Sequence, residues 1–90
     1  MTIKESYTKL SISETLNCLT FEFSNPKNYS RRTIIIHGGE SFEMRHGQKV
    51  KLNYCNIKWK PVVFGKKRDQ PKRIVYFLEF SYDDKDQYKY

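Results

Sequence analysis

The sequence predicts a mainly β domain: a small antiparallel sheet or partly open barrel of about five or six strands, with at most one or two short helices near the N-terminus. Three observations support this prediction. Apolar and polar residues alternate with a period of two in several short segments, and Gly-Gly and Asn-Pro turn signals separate those segments. Phenylalanine and tyrosine, which favour strands, supply 13 of the 90 residues.

The first 17 residues carry conflicting signals. Leu10 and Ile12 alternate with polar residues as in a strand, whereas Ser11 followed by Glu14 matches a capping box that would open a short helix. Both conformations are therefore left open for residues 1–17.

Three strands follow in the first half of the chain. One is predicted over residues 18–24, where every second residue is apolar until an Asn-Pro pair ends the pattern. A second is predicted over residues 31–37, because three consecutive isoleucines indicate burial on both faces. Gly38 and Gly39 supply the positive φ angles of a tight turn, which leads into a third strand over residues 41–44.

A lysine-rich hairpin is predicted next, with strands over residues 49–52 and 57–60 and a four-residue loop between them. In this pairing the apolar residues share one face, and the lysines lie opposite one another on the other face. The lysines are Lys49, Lys51, Lys58 and Lys60. Opposed like charges favour an anionic ligand on that face, although lysines on an edge strand also protect against aggregation.

The end of the chain predicts one more strand and a tail. Residues 73–81 form the most hydrophobic segment, which indicates a central strand. Residues 82–90 lack periodicity and predict a flexible C-terminal tail. We therefore expect a single basic β-rich domain over residues 1–81, and a homodimer is left open because so short a chain buries a modest core.

Positive charge is concentrated in one part of the chain. Residues 45–73 hold ten of the seventeen basic residues and one acid, Asp69, for a formal charge of +9, while the other 61 residues sum to −2. Segregated positive charge on a small domain indicates an anionic partner, and nucleic acid is the commonest one.

These observations predict a small, non-enzymatic nucleic-acid-binding protein, with RNA or other single strands favoured over duplex DNA. Lysine and arginine would follow the phosphates while aromatic rings stack on unpaired bases. The predicted phosphate contacts are Lys49, Lys51, Lys58, Lys60, Lys66, Lys67, Arg68, Lys72 and Arg73, extended by Arg31 and Arg32 if their loop lies beside them. The predicted stacking residues are Tyr54, Trp59 and Tyr76, and for Tyr54 and Trp59 a place in the core is the alternative.

Two other functions fit the same residues. The first is a small inhibitor or regulator, antitoxin-like or a viral accessory factor, that binds an acidic protein, with or without RNA, because carboxylates also attract lysine and arginine. The second is a metal-independent ribonuclease in which His37 and His46, on either side of one strand, act as general base and general acid. No metal ligands stand at a convincing spacing, and no cofactor is expected.

The remaining features concern location. Cys18 and Cys55 lack metal-ligand spacing, which indicates free thiols in a reducing compartment. No apolar run approaches the ~20 residues that span a bilayer, so no membrane partner is expected. We expect a cytoplasmic protein, and the many Lys, Ile, Asn and Tyr residues with no Ala suggest an AT-rich genome, such as that of a bacterium or its virus.

Overall fold

The computed structural model of the chain describes residues 1–63 and 72–83, at Val63 and Lys72 for the backbone alone. These residues form one antiparallel sheet of seven strands in the order β1-β7-β6-β5-β4-β3-β2, and they include no helix. The strands are β1 Ile3–Tyr7, β2 Lys9–Thr15, β3 Cys18–Asn25, β4 Ser30–His37, β5 Glu40–Arg45, β6 Gln48–Val63 and β7 Lys72–Tyr82. The predicted mainly β class is confirmed, with seven strands in place of five or six.

The additional strands come from the N-terminal segment. The helical alternative there is wrong, because Ser11 and Glu14 lie within β2 and pair with Glu22 and Leu19 of β3. Pairing with β3 satisfies the backbone of the whole segment, whereas a single helical turn would leave most of its terminal groups without partners.

Three tight turns connect β2 to β3, β4 to β5, and β5 to β6. Both residues of each turn have positive φ, which produces the twist that flanking strands require. The angles are 34° and 66° at Leu16 and Asn17, 60° and 78° at Gly38 and Gly39, and 52° and 78° at His46 and Gly47. The predicted Gly38-Gly39 turn is confirmed.

The two ends of the strand order meet at Thr8. β1 pairs with β7 and β2 pairs with β3, yet one residue separates β1 from β2 in sequence. Asn25, the last residue of β3, holds the junction: its Oδ1 accepts a hydrogen bond of 2.9 Å from the Thr8 backbone nitrogen, and its Nδ2 donates one of 3.0 Å to the Ser6 carbonyl oxygen. The sheet therefore curls around its own core.

Large apolar side chains fill the inside of this curl. Tyr7 and Phe23 pack with ring centroids 5.6 Å apart, and both are almost completely buried. We call the side of the sheet that carries the core residues the core face and the opposite side the outer face. The core cluster consists of Tyr7, Phe23, Ile34, Leu52, Leu78 and Phe80.

β6 is one long strand that replaces the predicted lysine-rich hairpin. Residues 53–56, expected to be its loop, continue the strand. The first part of β6 pairs with β5, and the part from Leu52 onward pairs with β7. β7 ends at Tyr82, one residue later than predicted, so Tyr82 belongs to the sheet. The Asp83 backbone nitrogen donates a hydrogen bond of 3.1 Å to the Lys51 carbonyl oxygen, and residues 84–90 of the expected tail lie outside the described residues.

The end of β6 and the beginning of β7 extend beyond the rest of the sheet. Residues 60–63 pair with residues 72–75, whereas β1 pairs with β7 between Tyr76 and Phe80. Within the part of the chain that the structure describes, no third strand pairs with residues 60–63 or 72–75. We call these two segments the β6–β7 ribbon.

Candidate functional site

A β-bulge in β6 sets the direction of the lysine side chains. Leu52 pairs with Tyr82 and Tyr54 pairs with Ser81, so Asn53 is an additional residue in β6. Side chains alternate between the two faces of a strand, and one additional residue reverses the alternation. As a result, all four lysines predicted to share a face do lie on the outer face: Lys49, Lys51, Lys58 and Lys60.

These lysines lie opposite apolar residues and not opposite one another, which corrects the predicted pairing. Lys58 pairs with Phe77, and Lys60 pairs with Val75. On the β5 side, Lys49 and Lys51 pair with Met44 and Phe42. The expected repulsion between opposed ammonium groups is therefore absent, because each lysine has an apolar neighbour across the strand.

Part of this charge has an intramolecular partner. Lys49 Nζ lies 4.5 Å from the centroid of the Phe42 ring, within cation–π range. Lys51 Nζ lies 3.4 Å from Glu40 Oε1, in a pair whose side chains are both about half exposed. Such an exposed pair stabilises the fold by at most ~1 kcal/mol, so it can be displaced by a competing anion.

The two faces of the sheet differ in charge. Among the strand side chains that the structure describes, the outer face carries eight basic and three acidic residues, whereas the core face carries two basic and three acidic residues. The outer-face residues are Lys4, Lys9, Arg31, Lys49, Lys51, Lys58, Lys60 and Arg73, with Glu22, Glu40 and Glu79. The charge segregation in the sequence is therefore also a segregation between faces.

Arg31 and Arg32 point to opposite faces. Arg31 pairs with Ser24 and is exposed on the outer face. Arg32 pairs with Phe23 on the core face, where its guanidinium lies 4.7 Å from the centroid of the Phe80 ring. Of the two arginines, Arg31 alone has a position suited to the predicted phosphate contacts.

Arg32 is the centre of a polar network inside the sheet. Its Nη2 lies 2.5 Å from Glu5 Oε1 and its Nη1 lies 2.5 Å from Glu43 Oε2. The Tyr82 hydroxyl donates to Glu43 Oε1 at 2.5 Å, and the Tyr7 hydroxyl donates to Glu5 Oε2 at 2.9 Å. Every charged member of the network therefore has a partner of opposite charge.

The pKa values of Arg32, Tyr7 and Tyr82 are raised within this network. Burial would lower the pKa of the Arg32 guanidinium, but interactions with Tyr7, Glu43 and Glu5 outweigh it and raise that pKa. Burial raises the pKa of the Tyr82 hydroxyl, and hydrogen bonding to the Glu43 carboxylate raises it further. Burial is also the main cause that raises the pKa of Tyr7. Arg32 thus stays charged and both tyrosines stay protonated across the physiological range.

The predicted stacking residues lie on both faces. Tyr54 is on the outer face, with 44% of its surface exposed. Trp59 and Tyr76 pair with each other on the core face; Tyr76 packs against the core cluster, but 67% of Trp59 is exposed. The core alternative is therefore wrong for Tyr54 and Trp59, whereas Tyr76, predicted as a stacking residue, lies against the core.

An aromatic residue outside the predicted set lies among the lysines. Phe77 pairs with Lys58 on the outer face, and 40% of its surface is exposed. The continuous apolar run of β7 conceals this exposure in the sequence, because such a run predicts burial on both faces. Leu78, on the core face, and Val75, on the same face as Phe77, are both buried, so the apolar run gives no signal that Phe77 is accessible.

Several predicted residues cannot be placed. Lys66, Lys67 and Arg68 lie outside the described residues, and so does the side chain of Lys72. Arg73 is exposed at the β6–β7 ribbon, on the outer face, and interacts with another group.

His37 and His46 do not approach each other. His37 ends β4 and pairs with Glu40, at one end of β5, whereas His46 follows Arg45, at the other end. Six residues of extended chain separate the two turns, a distance of roughly 20 Å. This separation is far beyond the reach of a general acid and a general base that act on one phosphate.

The cysteines and the metal-binding residue types add no site. Cys18 and Cys55 are free and partly buried, and burial raises the pKa of the Cys55 thiol. Within residues 1–63 and 72–83, no group of three or more His, Cys, Asp or Glu side chains could hold a metal ion.

Comparison of the chain with protein-family models, with curated proteins and with solved structures found no match. The described part of the chain contains no helix that is long and apolar enough to cross a membrane.

Proposed function

We propose that the chain is a small, non-enzymatic nucleic-acid-binding protein that binds RNA or other single strands through the outer face of β1, β7 and β6. One observation carries the proposal: exposed aromatic rings lie beside lysines on that face. Tyr54, Lys58 and Lys60 lie on the outer face of β6, and Phe77 lies across from Lys58 on β7.

The physical basis of the proposal is a division of labour between the two residue types. Ammonium groups displace condensed counterions from phosphates, which gives affinity without reading the sequence. Exposed aromatic faces stack on unpaired bases, which a duplex does not present. The rise of ~3.3 Å per residue places Lys58 and Lys60 about 7 Å apart, close to the spacing of successive phosphates in an extended strand.

The salt dependence of binding tests this proposal. Fluorescence anisotropy would follow a labelled single-stranded RNA of about ten nucleotides between about 50 and 200 mM salt. We expect log K to fall linearly with log salt, with a slope of about −0.7 for each phosphate neutralised. Binding that does not change with salt would overturn the proposal. A duplex of the same sequence should bind more weakly, because its bases cannot stack on the exposed rings.

A second candidate function is regulation through binding to an acidic protein. The observation that favours it is an exposed apolar surface on the core face, formed by Pro61 and Ile74 of the β6–β7 ribbon and by Trp59, which immediately precedes the ribbon on β6. Exposed tryptophan and aliphatic side chains commonly anchor protein interfaces, and they do not bind phosphates. The basic outer face would then add charge complementarity to the same partner.

The variant Trp59→Ala separates the two candidates. If a protein partner docks on this exposed apolar surface, Trp59→Ala should abolish its capture from nuclease-treated lysate and leave the affinity for single-stranded RNA unchanged. If Trp59 contributes to RNA binding instead, the RNA affinity should fall. The free thiols of Cys18 and Cys55 support the cytoplasm as the compartment for either function.

A further inference from the structure

A shallow groove crosses the outer face where β1, β7 and β6 lie side by side. Its volume is about 340 Å³, and its lining includes Lys4, Ser6, Asn56, Lys58, Phe77 and Glu79. This volume is sufficient for a single nucleobase with its sugar, and too small for a folded segment of protein.

The strand register arranges the lining in two rows. In the first row, Phe77 of β7 lies between Ser6 of β1 and Lys58 of β6. In the second row, Glu79 lies between Lys4 and Asn56. The two rows are about 7 Å apart along β7, so a ring that covers Phe77 extends its edge toward Glu79.

The Phe77 row provides a surface for stacking. Phe77 is 40% exposed although it is a large apolar residue with strands on both sides. A flat π-face bordered by an ammonium group suits a planar ring attached to a phosphate, because the ring stacks and the phosphate meets the lysine.

The Glu79 row provides a hydrogen-bond acceptor. Among the described residues, the Glu79 carboxylate forms no ion pair or hydrogen bond. An ionised carboxylate only accepts hydrogen bonds, and it binds best to two adjacent donors. Guanine presents such a pair, its N1–H and its exocyclic N2 amine, on one edge. Uracil presents one N–H between two carbonyl oxygens, which the carboxylate repels.

We infer that this groove binds one guanine base of a single-stranded nucleic acid: Phe77 stacks on the base, Glu79 accepts from its Watson–Crick edge, and Lys4 and Lys58 hold the flanking phosphates. The inference rests on the proposed function and adds a base preference to it. It also makes Glu79 a specificity-determining residue, because an acidic side chain on a basic face lowers the affinity for every sequence except those that supply donors to it.

The test compares two labelled RNAs of about ten nucleotides, one of uridine alone and one with a guanosine pair at its centre, by fluorescence anisotropy with the full chain. We expect the guanosine RNA to bind about fivefold or more tightly, since one stacked and hydrogen-bonded base contributes that much. Glu79→Gln should reduce the preference toward unity while uridine binding stays equal or becomes tighter.

Two further variants separate stacking from folding. Phe77→Leu keeps an apolar side chain on β7 and should lose most of the guanosine preference, with thermal unfolding measured in parallel to show that the sheet is intact. Tyr54→Leu, an exposed aromatic of the same face outside the groove lining, should keep the preference.

The outcomes test the guanine site separately from the proposed nucleic-acid-binding function. Equal, salt-dependent binding of both RNAs by the unaltered chain would overturn the guanine site and leave the proposed function standing. A preference that survives both Glu79→Gln and Phe77→Leu would also overturn the site. Failure to bind either RNA would overturn both.

Discussion

Arg32 Nη1 lies 2.5 Å from Glu43 Oε2 on the core face of the sheet, whereas the preceding residue, Arg31, is exposed on the outer face. The Glu43 side chain is 5% exposed, so its charge depends on Arg32 for a partner. A buried carboxylate that loses its partner is costly, because its charge stays removed from water without the ion pair that compensated for it.

Arg32→Ala should therefore destabilise the fold by about 2–4 kcal/mol, measured by urea denaturation at neutral pH. Arg31→Ala is the matched control, with the same chemical change one residue away, and should alter the free energy of unfolding by less than about 0.5 kcal/mol. Equal effects of the two substitutions would show that the buried network does not hold the sheet together.

The stability of the fold should decrease in alkaline solution partly because of Tyr82. Its pKa is raised in the folded state, so the unfolded chain ionises first as the pH rises. The stabilisation that Tyr82 contributes to the fold is complete below the ordinary tyrosine pKa and is lost as the pH rises through the folded-state pKa.

Tyr82→Phe should lower stability at neutral pH by about 1 kcal/mol, through the lost hydrogen bond to Glu43, and should flatten the decrease above about pH 10. Tyr54→Phe removes the hydroxyl of an exposed tyrosine and is the matched control for the chemical change. The measurement is the free energy of unfolding at several alkaline pH values. Parallel curves for the unaltered chain and Tyr82→Phe would contradict the prediction.

The bulge at Asn53 should be required for the fold. Deleting Asn53 forces the second part of β6 either to direct Lys58 into the core or to lose its pairing with β7, because a one-residue slip reverses every side chain. We expect the deletion to cost more than about 3 kcal/mol, as seen by circular dichroism and thermal unfolding. Asn53→Gly keeps the residue count and should remain folded; a folded deletion variant would contradict the assigned register.

Some features of the fold follow directly from local patterns in the sequence. Alternation of apolar and polar residues was sufficient for β3, and two glycines with positive φ were sufficient for the turn at Gly38 and Gly39. The same alternation, counted from Ile34, also indicates that Arg32 points to the core face. The prediction that both arginines bind phosphates conflicts with this alternation.

Other features depend on contacts between distant residues. Asn53 is an ordinary polar residue, and its role as a bulge is set by the pairing of β6 with two different strands. The break between β1 and β2 at Thr8 depends on Asn25, which is 17 residues away. The exposure of Phe77 is hidden in an apolar run. Local patterns cannot predict such features, because the deciding interaction is tertiary.

The most direct test of the central claim, that the outer face of β6 binds single-stranded nucleic acid, is the salt dependence of RNA affinity for two double variants of equal net charge. Lys58→Gln with Lys60→Gln neutralises the outer face of β6, whereas Lys9→Gln with Lys27→Gln neutralises exposed lysines at β2 and at the turn after β3. The first variant should reduce the magnitude of the slope of log K against log salt by about 1.4, and the second should leave it unchanged. Equal slopes for the two variants would contradict the claim.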